Sequence, residues 1–249
     1  MCESDWPVLD EVLAFRDRVR ERLSGIYSEL ESGKMAFARH IGRVLFLTFE
    51  HEAMHAETLL YMLIQSKSIR PPTAVAMPQW DVLAKRWAEE AVPNKVLSVA
   101  AGTVALGHHD LEEEDKLHFS QDGWEDHEFG WDNEHPRTVV PVKALKVNSL
   151  PITNNDYKAF LGGSSDLPAS WVEVDGEIMV RTLYGPIPFE VAGLWPLMAS
   201  KIEIDAYVKS KGGRLPTEAE LRMFWERSDG ARPVGELANV GVKNWHPVP

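Results

Sequence analysis

His51 and His55 stand four residues apart in the stretch FEHEAMHAETLLYMLIQ, between Phe49 and Gln65. On a helix, residues at that spacing lie one above the other on a single face. Two neutral imidazoles so placed can converge on a first-row transition metal. Surface or core histidines that merely share a face have the same spacing, so the pattern leaves both readings open. Glu57 does not join the pair, because two positions from His55 is about 200° round a helix. A zinc site, or a non-heme iron site with open positions, needs a third protein ligand. His40 lies on the same face but about 16 Å along the axis. One metal could reach it and His51 only if the helix broke between them, at Gly42.

Other residues offer further chemistry, each with a plainer alternative. Arg16, Arg18 and Arg20 carry guanidinium forks, which suit a carboxylate. An arginine-rich helix face is equally read as solvated. The acidic stretch HHDLEEEDKLHFSQDGWEDHEFGWDNE has no EF-hand spacing and reads as a solvated loop. Within it, Trp131, Asp132 and Asn133 predict a loop packed by its own aromatic and pinned by side-chain-to-backbone bonds. GGRLPTEAE places glycines before a helix, but without the lysine–hydroxyl pair of a phosphate loop.

The elements that must position these groups are legible in outline. Val12, Phe15, Val19, Leu23 and Ile26 recur at helical intervals. A second periodic segment runs from about Met35 to Gln65, with Gly42 as its one possible break. A proline-dominated connector, SIRPPTAVAMP, and a short helix, QWDVLAKRWAEEAV, follow. From Lys95 the texture changes to short valine-rich strands, KVLSVAAGTVALG and RTVVPVKALKVNSLP. TNNDYKAFLG predicts a helix capped by Thr153 or Asn154, and WVEVDGEIMVRTLYG a hairpin turning at Asp-Gly. Two helices flank GGRLP, the second opened by Thr217 with Glu220 three residues on. The expected class is α+β, with a helical module over 1–70, a linker and short helix over 71–94, and an irregular α+β module over 95–249.

Bulk properties narrow the partners. A net charge of −12 argues against nucleic acid or an acidic membrane surface. The chain has one cysteine, Cys2, so no internal disulfide can form. No apolar run reaches a membrane span, and the N-terminal residues lack the pattern of a signal peptide. A cytoplasmic protein is the expectation.

FEHEAMHAETLLYML resembles the His-x-x-x-His-x-Glu helix of the DinB-like modules in ergothioneine-biosynthesis sulfoxide synthases. AGTVALG, FGWDNEHPRTVVPVKALKVNSLPITNNDYKAFL and GGRLPTEAELRMF are similar, in the same order, to the landmarks of the formylglycine-generating-enzyme-like (sulfatase-modifying-factor) domain, a C-type-lectin-like fold. FGWDNE narrows the resemblance to the ergothioneine branch, and the fungal proteins with a fused methyltransferase look most alike. The resemblance implies a mononuclear non-heme iron(II), Fe2+, held by three histidines between the two modules. It implies hercynine, cysteine (γ-glutamylcysteine in some bacterial members) and dioxygen as small-molecule substrates. The product would be the hercynylcysteine sulfoxide. His51 and His55 match two of the three iron ligands. Arg16, Arg18 and Arg20 lie near where the family places arginines that hold the thiol substrate's carboxylate, Arg16 and Arg20 being the candidate substrate-binding pair.

The chain departs from that family in three respects. Its first iron histidine, on an earlier helix, has no counterpart here, nor does the C-terminal Gly-x-Val-Trp-Glu-Trp-like segment, nor the methyltransferase half. The resemblance therefore implies a chain truncated at both ends, with little activity alone. Two other functions compete: a non-catalytic remnant or binding protein on the same scaffold, and a DinB-type metal-dependent hydrolase or thiol transferase. Formylglycine generation itself is excluded, because its active-site cysteine pair is missing.

Overall fold

A computed structural model describes residues 6–66, 68, 71, 73–116, 129–164 and 166–229. Cys2, residues 117–128 of the acidic stretch and the NWHPVP end lie outside them. The chain divides into two compact units, one of residues 1–51 and 108–135, the other of 52–107 and 136–249. The fold is α+β, as expected. No helix among the described residues is long and apolar enough to cross a membrane.

Helix α1 (Leu9–Glu31) opens with Asp10 and Glu11, whose charge suits the positive end of the helix dipole. Its apolar stripe exists as the periodicity predicts, yet α1 buries no residue and Phe15 is 61% exposed. Helix α2 (Arg39–Gln65) is uninterrupted. Gly42 does not break it: a Cβ there would lie 3.0 Å from Phe129 Cζ and 3.1 Å from Phe37 Cζ. The glycine serves close approach, at the usual helical cost of about 1 kcal/mol.

The second unit holds the apolar cores. Helix α3 (Trp80–Glu89) precedes β1 (Val96–Val99) and β2 (Gly102–Leu106). Strand β3 (Thr138–Val142) pairs antiparallel with β2, Val104 opposite Val140. Strand β4 (Leu145–Asn148) pairs antiparallel with β1. Alternation turns Val99, Val104 and Val142 inward. They meet Ala219, Met223 and Phe224 of α7 (Glu218–Asp229). Full burial of such an apolar side chain is worth roughly 1.5–3 kcal/mol.

A second core lies around α4 (Asn154–Leu161), β5 (Trp171–Val174), β6 (Glu177–Thr182), β7 (Gly185–Pro188), α5 (Phe189–Ala192) and α6 (Lys201–Ser210). Thr153 caps α4, its hydroxyl accepting from Asp156 N. Asp175 (φ 52°) and Gly176 (φ 84°) make the β5–β6 turn, the left-handed pair that a two-residue hairpin favours. Strand β7 had no signal in the sequence, since its GPIP reads as loop. Its prolines are tolerated at a sheet edge, where β6 is its one neighbour.

Thr217 and Glu220 form the expected reciprocal cap: Thr217 N donates to Glu220 Oε2 at 2.8 Å, and Glu220 N to Thr217 Oγ1 at 3.3 Å. Arg214 adds a two-pronged ion pair, at 2.6 and 2.7 Å. Hydrogen bonds from Arg214 and from the Thr217 backbone hold the Glu220 carboxyl down at about 2, against an ordinary 4.5. A depressed carboxylate stabilises the fold fully above its unfolded value, and that contribution disappears as pH falls through the folded one. Glu220→Gln is therefore expected to lower the melting temperature at neutral pH. It should also flatten the loss of stability between about pH 4.5 and 2. Melting curves at stepped pH check this; an acid limb unchanged by the substitution contradicts it.

Candidate metal centre

His51 and His55 both lie exposed on the unbroken α2, one turn apart. The His51 ring faces Trp131, with centroids 5.9 Å apart and planes inclined at 47°. His40 is exposed near the start of the same helix. With no break at Gly42 it stays about 16 Å away along the axis. Among the described residues, no group of three or more His, Cys, Asp or Glu could hold a metal ion. Two imidazoles are a donor type that suits iron(II), and no third donor is grouped with them among the described residues.

A buried polar network underlies this helix. Arg39 and Arg43, one turn apart on α2, both clasp Asp110, whose side chain is fully buried. Arg43 Nη2 also donates to Asp110 Oδ1 at 2.8 Å, and Arg39 Nη1 to Asp115 Oδ1 at 2.7 Å and the Leu111 carbonyl at 2.9 Å. Two guanidinium charges balance the two aspartates, the condition under which buried ions are tolerated. Burial works against the charged form of Arg43. The hydrogen bonds to Asp115 and Asp110 outweigh it and raise its pKa. Conversely, the hydrogen bond from Arg43 holds Asp115 below its ordinary range.

The network extends to the 129–135 loop. Asp110 Oδ2 accepts from Gly130 N at 3.2 Å. Asp110 N donates to His108 Nδ1 at 2.9 Å, and His108 Nε2 lies 2.7 Å from the Trp131 carbonyl. Because a backbone N–H can only donate, Nδ1 must accept, and the proton sits on Nε2 facing the carbonyl. Both ring nitrogens are thereby engaged, and His108 is not an available metal ligand. A Cβ on Gly130 would fall 1.9 Å from His108 Cδ2, so only glycine fits there. Residues 131–134 are pinned as expected, with Trp131 N donating to Glu134 Oε2 and Asn133 N to Asp132 Oδ1.

The sequence reading of the acidic stretch is corrected in part: Asp110 and His108 are buried, not solvated. The missed signal was the Arg39–Arg43 pair, two cations one turn apart at the head of an otherwise apolar segment. Arg16 and Arg20 are exposed on α1, and Arg16 is turned onto its neighbour Asp17 at 2.7 Å.

Comparison with known families decides the class. Residues 83–232 match the sulfatase-modifying factor enzyme 1-like domain. The chain belongs to the sulfatase-modifying factor enzyme 1-like family. Among members of curated function, it is 32% identical to ergothioneine biosynthesis protein 1 of Neurospora crassa, over 92% of this chain and 28% of that protein. It is 32% identical to the Schizosaccharomyces pombe protein of the same name, over 83% of this chain and 28% of that one. It is 27% identical to the hercynine oxygenase of Mycolicibacterium smegmatis, over 82% of this chain and 49% of that protein. The family resemblance carried by FGWDNE and the histidine helix is thus borne out. The chain spans less than a third of the length of the fungal relatives it matches.

Proposed function

We propose that this chain serves ergothioneine biosynthesis, as the part of a hercynylcysteine sulfoxide synthase that carries two of its iron ligands. The observation that carries this reading is the likeness to the fungal ergothioneine proteins over nearly the whole chain, which includes the helix bearing His51 and His55. In that reading iron(II), when bound, supplies oxygen activation, and His51 and His55 hold it through two of three imidazoles. The substrates are hercynine, a cysteine-type thiol and dioxygen, and the setting is cytoplasmic. Arg16 and Arg20 are proposed to meet the thiol substrate's carboxylate.

A donor set of two predicts weak metal binding and little turnover by this chain alone. Anaerobic iron titration, followed by oxygen uptake with hercynine and cysteine, tests it. His51→Ala and His55→Ala are each expected to remove what iron binding remains. Robust turnover by the isolated chain would overturn the incomplete-site reading. Tight zinc binding with no oxygen uptake would instead favour a metal-dependent hydrolase or thiol transferase.

A further inference from the structure

We propose that Trp131 is a positioning residue for the His51 imidazole, and that a latch through His108 and Asp110 holds Trp131 in place for it. The purpose of this arrangement rests on His51 being a metal donor, as proposed above; its geometry does not.

His51 is exposed on its helix, and an exposed imidazole samples several rotamers. A ligand that must first be ordered binds metal less tightly than one already fixed. Within this unit the half-buried Trp131 indole lies beside the ring, at 5.9 Å between centroids. Rings at this separation attract each other and limit the imidazole's rotation.

The indole is not free to drift. The Trp131 carbonyl receives the His108 Nε2 proton at 2.7 Å, and the preceding Gly130 N–H is held by Asp110. Asp110 is in turn clasped by Arg39 and Arg43 of α2, the helix that carries His51. The Phe129 ring lies beneath the two guanidiniums, 5.9 and 5.7 Å from them. The helix thus grips, two to three turns before His51, the loop that supports His51. Partners that orient a metal ligand from behind commonly change metal affinity by about 10–100-fold when removed. A packed ring without a hydrogen bond belongs at the low end of that range.

The test has two readouts on the intact chain. Without metal, NMR of the aromatic region follows the His51 ring protons, assigned by their loss in His51→Ala. The Trp131 ring current displaces them. Trp131→Ala should abolish that displacement, Trp131→Phe should keep part of it, and His108→Gln should shift it while the methyl signals of the valine-rich core stay dispersed. With nickel(II) alone as probe, Trp131→Ala should lose about tenfold in affinity, with Trp131→Phe nearer the parent. His51 signals and nickel affinity both unmoved in Trp131→Ala overturn the proposal. If the parent binds no nickel, the metal reading fails, and the ring-proton displacement alone decides whether Trp131 holds the histidine.

Discussion

Asp110→Ala is expected to unfold the unit formed by residues 1–51 and 108–135. Among the described residues, the substitution leaves Arg39 and Arg43, respectively 2% and 6% exposed, with the Asp115 carboxylate and the half-exposed Glu114 to answer two buried charges. Removing one partner of a buried ion pair costs about 3–5 kcal/mol, chiefly through the charge left uncompensated. It also strands the Gly130 N–H, a loss of about 1–3 kcal/mol if no water replaces the carboxylate. Against total stabilities of about 5–15 kcal/mol, that is enough to lose the unit. Urea unfolding should show an early transition absent from the parent, with the valine-rich core of the other unit unfolding near its original midpoint. Asp110→Asn, which keeps the shape and the acceptor, should fall between. A single transition at the parental midpoint would show that water screens this network well. Acid should weaken the same network through Asp115. The pKa of Asp115 is depressed, so its contribution is complete above its unfolded value of 3.8 and is lost as pH drops below it.

Trp171→Ala should damage the second core to a similar extent. The indole is 2% exposed and stands edge-on to Phe189 at 4.8 Å and to Tyr157 at 5.9 Å. Truncating a buried tryptophan to alanine costs about 3–5 kcal/mol. Its Nε1–H also donates to Asn154 Oδ1 at 2.9 Å, while Asn154 Nδ2 donates to the Ala192 carbonyl at 2.8 Å. Alanine therefore also leaves a buried acceptor unpaired at the start of α4. Trp171→Phe restores most of the volume but not the donor, so its difference from the parent reports the hydrogen bond, about 1 kcal/mol or somewhat more, and its difference from Trp171→Ala reports the packing. Equilibrium urea curves compared across the three proteins give both numbers. Equal midpoints for Trp171→Phe and the parent would mean that Asn154 finds another donor.

The features legible in the sequence are those encoded locally. Thr153 and Thr217 announce helix starts because a hydroxyl satisfies donors two or three residues away. Asp-Gly announces a hairpin because few residues take a left-handed backbone. The histidine pair was visible because its spacing is one helical turn. What is not legible depends on partners distant along the chain. Arg39 and Arg43 look like surface cations until Asp110, some seventy residues later, is seen to neutralise them. Gly42 looks like a helix breaker until Phe129 arrives to fill the space beside it. Trp131 reads as packing its own loop, and its facing of His51 has no sequence signature at all.

The β2–β3 ladder, which sets Leu106 opposite Thr138, has a consequence for how this domain can change. The strands already hold together the two ends of the intervening chain. For such a closed segment the entropic penalty grows only with the logarithm of its length, about 0.6 kcal/mol per doubling. Lengthening of that segment therefore burdens the ladder itself little. One residue inserted within β2 would turn Val104 outward and disturb the whole face that meets α7. Natural variation in length is accordingly to be sought in the intervening stretch, with the ladder that frames it kept constant.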